Sequence, residues 1–453
     1  MKNLTPDISS ADFATVVNAH LAGASKSLPG TADAAYLTTL NGAFDGSFTP
    51  LAIGQHGASF YNNLKDGLRN STFSLKYFDE NISGLSAVPA NAPFAHYFNG
   101  KTYIAYAGAT DHPYILTYNH STKDFSTPIR CGTNPNPQDR HQQPTCFVDK
   151  DGYIHVFHGC HNSPVLYSRS TNAEDISAWT VKWTDVTSPI ASGTYPKVFQ
   201  KSNGTIYLFY RNSVAHHCYR TSSDGGNTWS EEVVVIQNYY NYGSIAMVND
   251  IIYCTFAYAA SSGAYDRKNI VYFYCDINGV WRNISGTEKT LPINPSDCLV
   301  FDVGSLSTSD PSISIFGGSP YLAWGVIDES NPSTITYKFA KWGGASWTVI
   351  TVTSGAIGYV FARATIDVIS ASVIHVYINK ETSVEKWISS DGGATWSKSE
   401  TVISSASAFI EGGIIVRDGL REARVVVPEF NVTASAYGSK IYLHGDNGII
   451  KNI

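Results

Sequence analysis

The nine residues "SSDGGNTWS" at 222–230 return as "SSDGGATWS" at 389–397, 167 residues later. In each copy the Asp carboxylate can accept backbone N–H groups across a turn, and the Gly pair can take conformations closed to other residues. The Trp can then pack on a neighbouring strand. Closing a hairpin explains every part of the motif, and no part of it requires a reaction. Weaker copies stand at "YFYCDINGVW" and "YKFAKWGGASW", so the motif is a structural repeat.

An aromatic residue follows each strand that leads into this turn: Phe125, Trp179, Trp229, Trp281, Trp347 and Trp396, spaced by 54, 50, 52, 66 and 49 residues. A period near fifty, with four short strands per unit, predicts the blades of a propeller. Each unit opens with two apolar runs around a turn, as in "QPTCFVDKDGYIHVFHG", "YPKVFQKSNGTIYLFYR" and "YGSIAMVNDIIYCTFAY". The turns DKDG, KSNG and VND suit hairpins, because Asn, Asp and Gly tolerate positive φ. Units starting near 92, 141, 194, 242, 299, 357 and 408 predict seven blades of four antiparallel strands. The seventh lacks an outer strand, so an upstream stretch such as "STFSLKYFDEN" at 71–81 is expected to supply it and close the ring. Residues 1–45, which include the helix-like "SADFATVVNAHLA", form an N-terminal appendage or attachment segment, and residues 46–453 the propeller.

Composition agrees with an all-β chain: 13% aromatic residues, with 28 Tyr and 9 Trp, and Gly and Pro spread throughout. Charged residues are only 15% and the net charge is −6, which excludes the basic field that nucleic acid or an anionic membrane would need. Seven cysteines without a CxxC pair predict neither a zinc ribbon nor a disulfide framework. The N-terminus lacks the apolar run of a secretory signal, so action outside the cell or on a virion would use another route or a leader not seen here.

If the repeated turns lie on one face, the starts of first strands and the ends of second strands lie on the other. In blade 2 these places hold "RHQQP" and "HVFHGCHN", which should set His141 beside His161. In blade 3 they hold "TYPK" and "LFYRNS", with Tyr195 and Arg211; blade 4 repeats the spacing of sixteen with Tyr242 and Tyr258. An Arg can neutralise a uronate and acidify the adjacent C–H, while His and Tyr exchange protons with carbon and leaving oxygen. That set suits β-elimination of a uronic-acid polysaccharide without a redox cofactor. Arg140, Asn162, Tyr242, Tyr258 and Arg363 complete the expected substrate-binding set. A shared zinc at His158, Cys160 and His161 is disfavoured, because strand alternation sends His158 and His161 to different surroundings. No metal is assigned to the site, and a structural ion is allowed but not predicted. His155 and the "AHHC" at 215–218 are read as structural.

The repeat matches the Asp-box, or BNR repeat, and the string "RHQQPTCFVDKDGYIHVFHGCHNSPVLYSRS" followed by "TYPKVFQKSNGTIYLFYR" resembles the seven-bladed propeller polysaccharide lyases of the ulvan lyase type. The resemblance implies that His141 and Tyr195 are base and acid, in either order, and that Arg211 with His161 neutralises the carboxylate. The partner it implies is an anionic polysaccharide. One rival is an exo-sialidase, whose chemistry wants three arginines and a Tyr–Glu nucleophile pair; "TPIRCG" at 127–132 is not its early Arg-Ile-Pro motif. The other is a non-catalytic glycan-binding propeller, for instance on a viral tail, docked to a larger assembly through residues 1–45.

Overall fold

A computed structural model describes residues 82–83, 95–108, 112–135, 143–159, 161–237, 242–259, 267–328, 334–356, 363–380, 382–404, 409–410, 413–430 and 437–450. All of them belong to one compact unit, Tyr77–Ile450. The expected appendage, the suggested closing segment 71–81, and His141, Arg140 and Cys160 lie outside the described residues.

The unit is a seven-bladed propeller of antiparallel sheets. First strands start at Ala95, Thr145, Gly193, Tyr242, Ser307, Ala364 and Phe409. Five of the seven predicted starts lie within four residues; the fifth and sixth, predicted near 299 and 357, begin at Ser307 and Ala364. Leu299–Asp302 pairs with Arg267–Cys275 as an extra strand of blade 4, and blade 5 begins only at Ser307–Thr308. That added strand accounts for the long spacing of 66 between Trp281 and Trp347. Closure is as expected in kind: Ile82–Ser83, directly after the suggested segment, pairs with Tyr437–Gly445 as the outer strand of blade 7.

The repeated motif performs the hairpin role. The Asp224 carboxylate accepts the backbone N–H of Asn227 and Thr228 at 3.0 and 2.9 Å and the Thr228 hydroxyl at 2.7 Å. Asp391 repeats this with Thr395 at 2.9 and 2.6 Å. These bonds hold the Asp224 carboxyl down at about 2. Gly226 sits at φ +85° with Tyr167 of blade 2 against it; a Cβ there would meet the Tyr167 hydroxyl at 2.5 Å. Trp229 then packs edge-on against Trp183, Tyr167 and Phe157 of that same blade. The motif thus pins each turn to the blade before it. The VND turn carries Asn249 and Asp250 at φ +51° and +63°, the paired left-handed residues of a tight two-residue hairpin.

The core lies between blades rather than on the axis. Separate apolar layers join blades 1 and 2, 2 and 3, 3 and 4, 4 and 5, 5 and 6, and 7 and 1. Polar contacts fasten the ring where the chain meets itself. Glu422 accepts from His120 at 2.7 Å and from Lys123 at 2.8 Å, and Tyr97 donates its N–H to the Arg417 carbonyl. His155 proves to be a packing residue, stacked on Phe147 and hydrogen-bonded to Asp149 and Tyr167.

Candidate active site

The inner strand of blade 3, Gly193–Gln200, runs in register with Ile206–Asn212 until it meets Tyr195 and Pro196. Thr194 faces Arg211 and Lys197 faces Phe209, so two residues oppose the single Tyr210 and the strand bulges. Proline supplies no N–H for the ladder, which suits it to that place. Tyr195 takes φ +58°, a left-handed conformation that costs a non-glycine residue about 1–3 kcal/mol. Such strain is characteristic of functional sites, and here it re-aims one aromatic ring.

Beside this strand lies a short one, His161–Ser163, donated from blade 2. It pairs His161 with Thr194, and Asn162, itself at φ +51°, donates its N–H to the Thr194 hydroxyl at 3.0 Å. His161 therefore does not simply end the second strand of blade 2. It crosses to the inner edge of blade 3, where His161, Thr194, Arg211 and His217 form one row across four strands. Directly opposed residues point to the same side of a sheet. His217, read from sequence as remote structure, is thereby the neighbour of Arg211, with its ring 4.5 Å from Phe256.

Blade 4 completes the wall. The Tyr195 hydroxyl donates to the Tyr242 hydroxyl at 3.3 Å, with ring centroids 5.4 Å apart. Arg211, 2% exposed, lies 4.8 Å from the Tyr195 ring centre and 5.8 Å from that of Tyr242. Arg267 lies 4.0 Å over the Tyr242 ring centre. Burial pushes the Tyr195 phenol well above the ordinary phenol range, and the Tyr242 hydroxyl pushes it the same way while Arg211 opposes. Tyr195 therefore holds its proton through the neutral range. Two residues along the strand, the buried Lys197 ammonium donates to the Gly243 carbonyl, and desolvation brings it down to about 7.

The remaining predicted residues fall on either side of this group. Arg363 stands just before the inner strand of blade 6 and pairs with Asp310 at 3.0 Å. Tyr258 faces elsewhere: Tyr242 opposes Ala257, so Tyr258 takes the other side and packs half-buried in the layer between blades 3 and 4. His158 is buried and held near 3, first by desolvation and then by His112 and Arg130, so it is a neutral ring. Among the described residues no cluster of three His, Cys, Asp or Glu side chains could hold a metal. Below the wall an axial cavity of about 250 Å³ runs from Arg363 past Ser244, Ser312 and Thr365 to Arg417.

Fold and site together define a seven-bladed propeller with a buried Arg and two His in one row and a strained Tyr bulged out beside it. The chain belongs to the BNR repeat-containing family, whose profile it matches over residues 101–354. It is 27% identical over 445 residues to an ulvan lyase of Nonlabens ulvanivorans, covering 84% of this chain and 91% of that protein. A solved PL25 ulvan lyase superposes with a TM-score of 0.71 at 23% identity, over 83% of this chain and 97% of the other. A second PL25 structure, bound to -[GlcA(1-4)Rha3S]-, superposes with a TM-score of 0.70 at the same identity and coverage.

Proposed function

We propose that this protein is a polysaccharide lyase that cleaves an ulvan-like, uronic-acid-containing polysaccharide by β-elimination outside the cell. The supporting observation is the row of His161, Thr194 and Arg211 with Tyr195 bulged out of the strand beside it and hydrogen-bonded to Tyr242. Its sequence relatives bear the same activity, and the ligand in one solved relative joins GlcA to a rhamnose unit.

Arg211 and His161 neutralise the uronate carboxylate, which stabilises the charge that develops when the C5 proton leaves. A base removes that proton, its bonding electrons form the C4=C5 double bond, and the C4–O bond breaks. The departing oxygen takes a proton from the acid. Tyr195 is the acid in this scheme, because its burial keeps the phenol protonated. His141 is the base. Tyr242 accepts from Tyr195 in the resting state and holds the phenol in place. Asn162 and Arg140 are the further sugar-binding residues of this reading. No step draws on a redox cofactor.

The direct test is incubation with uronate polymers while following the ultraviolet absorbance of the conjugated product. A rise with an ulvan-type polymer supports the assignment. Binding of such a polymer with no absorbance change would instead identify a glycan-binding propeller without turnover.

A further inference from the structure

Asp310 lies just ahead of the inner strand Ser312–Phe316 of blade 5 and is 3% exposed. Two arginines from neighbouring blades enclose it. Arg267, on the third strand of blade 4, brings Nη1 to 3.5 Å from Oδ1, and Arg363, from blade 6, brings Nη2 to 3.0 Å from Oδ2. Both arginines are buried, and neither Asp310 oxygen has a well-aligned hydrogen bond, so the carboxylate is held there by charge. Lys197 also lies in its field. The group sits next to the reaction wall, because the Arg267 guanidinium that faces Asp310 also covers the Tyr242 ring, and Tyr242 accepts from Tyr195.

We infer that Asp310 is a positioning residue for the tyrosine pair: an internal counter-anion that occupies Arg267 and Arg363, fixes the Arg267–Tyr242–Tyr195 stack, and leaves the substrate carboxylate to Arg211. The inference rests on the lyase reading of the same wall. It follows from geometry and charge balance. One buried carboxylate between two guanidiniums offsets one of their two charges and so weakens their pull on a polyanion. A guanidinium pulled from one side by a carboxylate and lying on a ring from the other has a fixed plane. Arg363, which the sequence places among substrate contacts, is on this account a structural cation whose charge Asp310 partly offsets.

The role predicts that binding and turnover move in opposite senses. In Asp310→Asn the side chain keeps its shape and loses its charge, and the net positive charge next to the funnel rises by one. KM for an ulvan oligosaccharide should fall roughly threefold to tenfold at low salt, and its salt dependence should steepen. Meanwhile kcat should fall roughly 10- to 100-fold, because the phenols lose their fixed orientation. Asp310→Glu should return KM to within about twofold of wild type by restoring the charge. The double variant Asp310→Asn/Arg363→Gln restores the charge balance. It should recover stability and KM but not kcat, which keeps the test valid if the single variant folds poorly.

Simple structural damage would lower kcat through the folded fraction and leave KM and its salt slope unchanged; that result would overturn the inference. So would an unchanged kcat in a folded Asp310→Asn protein. Failure of the lyase reading looks different, because the wild type would then form no unsaturated product from any uronate polymer. The dissociation constant of the same oligosaccharide then replaces KM: tightening in Asp310→Asn supports the counter-anion role, and no change overturns it.

Discussion

Tyr195 concentrates what is unusual about this chain: a left-handed backbone, a bulge next to proline, a ring beside a buried guanidinium, and a phenol that burial keeps protonated. Tyr195→Phe keeps the ring and the strain and removes the hydroxyl, with its proton and its hydrogen bond to Tyr242. It should lower kcat about 10²–10⁴-fold, with KM changed little, in steady-state kinetics. Because the phenol is raised, ionisation of Tyr195 should not set the fall in activity on the alkaline side near pH 8–9, and a pH–rate profile checks this. Arg211→Lys keeps a cation but loses the planar group that lies beside two rings. It should cost roughly 10²-fold in kcat/KM, whereas an equivalent-cation view predicts near wild-type values. Sequence spacing brought Tyr195, Arg211 and Tyr242 to one wall, where the structure also places them, because strand ends recur at fixed intervals; His161 reaches that wall by a different route, on the edge of blade 3. It missed Asp310, Arg267 and Lys197, whose meaning lies in charges brought together from blades 3 to 6. His217 was within reach: the turn Asn212–Ala215 brings the chain straight back, so the register alone sets His217 against Arg211.

At the scale of the element, the Asp-box is a clamp between blades. Gly226 combines φ +85° with the Tyr167 hydroxyl where a Cβ would go, so Gly226→Ala meets both backbone strain and a clash. It should destabilise by more than about 1 kcal/mol, lowering Tm while kcat/KM per folded molecule is retained. Equal stability of the variant would show that the turn has other room. The period of these clamps made seven blades legible, because hairpin chemistry is local and repeats. Two features were not legible from it. The extra strand Leu299–Asp302 is held by pairing to blade 4 and carries no turn signal of its own, so it read as the start of blade 5. His161–Ser163 is three residues long, too short for periodicity, and owes its strand form to the edge of blade 3.

At the scale of the whole molecule, the ring closes through a two-residue strand and a small set of polar contacts. A chain beginning after Ser83 would leave the Tyr437–Ser439 end of the last long strand without its partner, and it should melt earlier and self-associate in sedimentation experiments. Acid should weaken the ring before its carboxylates titrate. His158 is held near 3 by burial, below the value near 6.5 of an unfolded chain, so the unfolded state takes up the proton first. The stability this provides is complete above pH 6.5 and is lost as pH falls from there toward 3, by up to about 1.4 kcal/mol per pH unit. His158→Gln should flatten the pH dependence of Tm over that window. The most direct test of the account concerns the reaction itself: ultraviolet absorbance during incubation of wild type and Tyr195→Phe with an ulvan-type polymer. The account predicts a steady rise for the wild type that is reduced at least about 100-fold in the variant, with binding retained. Equal rates for the two proteins, or a wild type that binds the polymer and forms no unsaturated uronide, would contradict it.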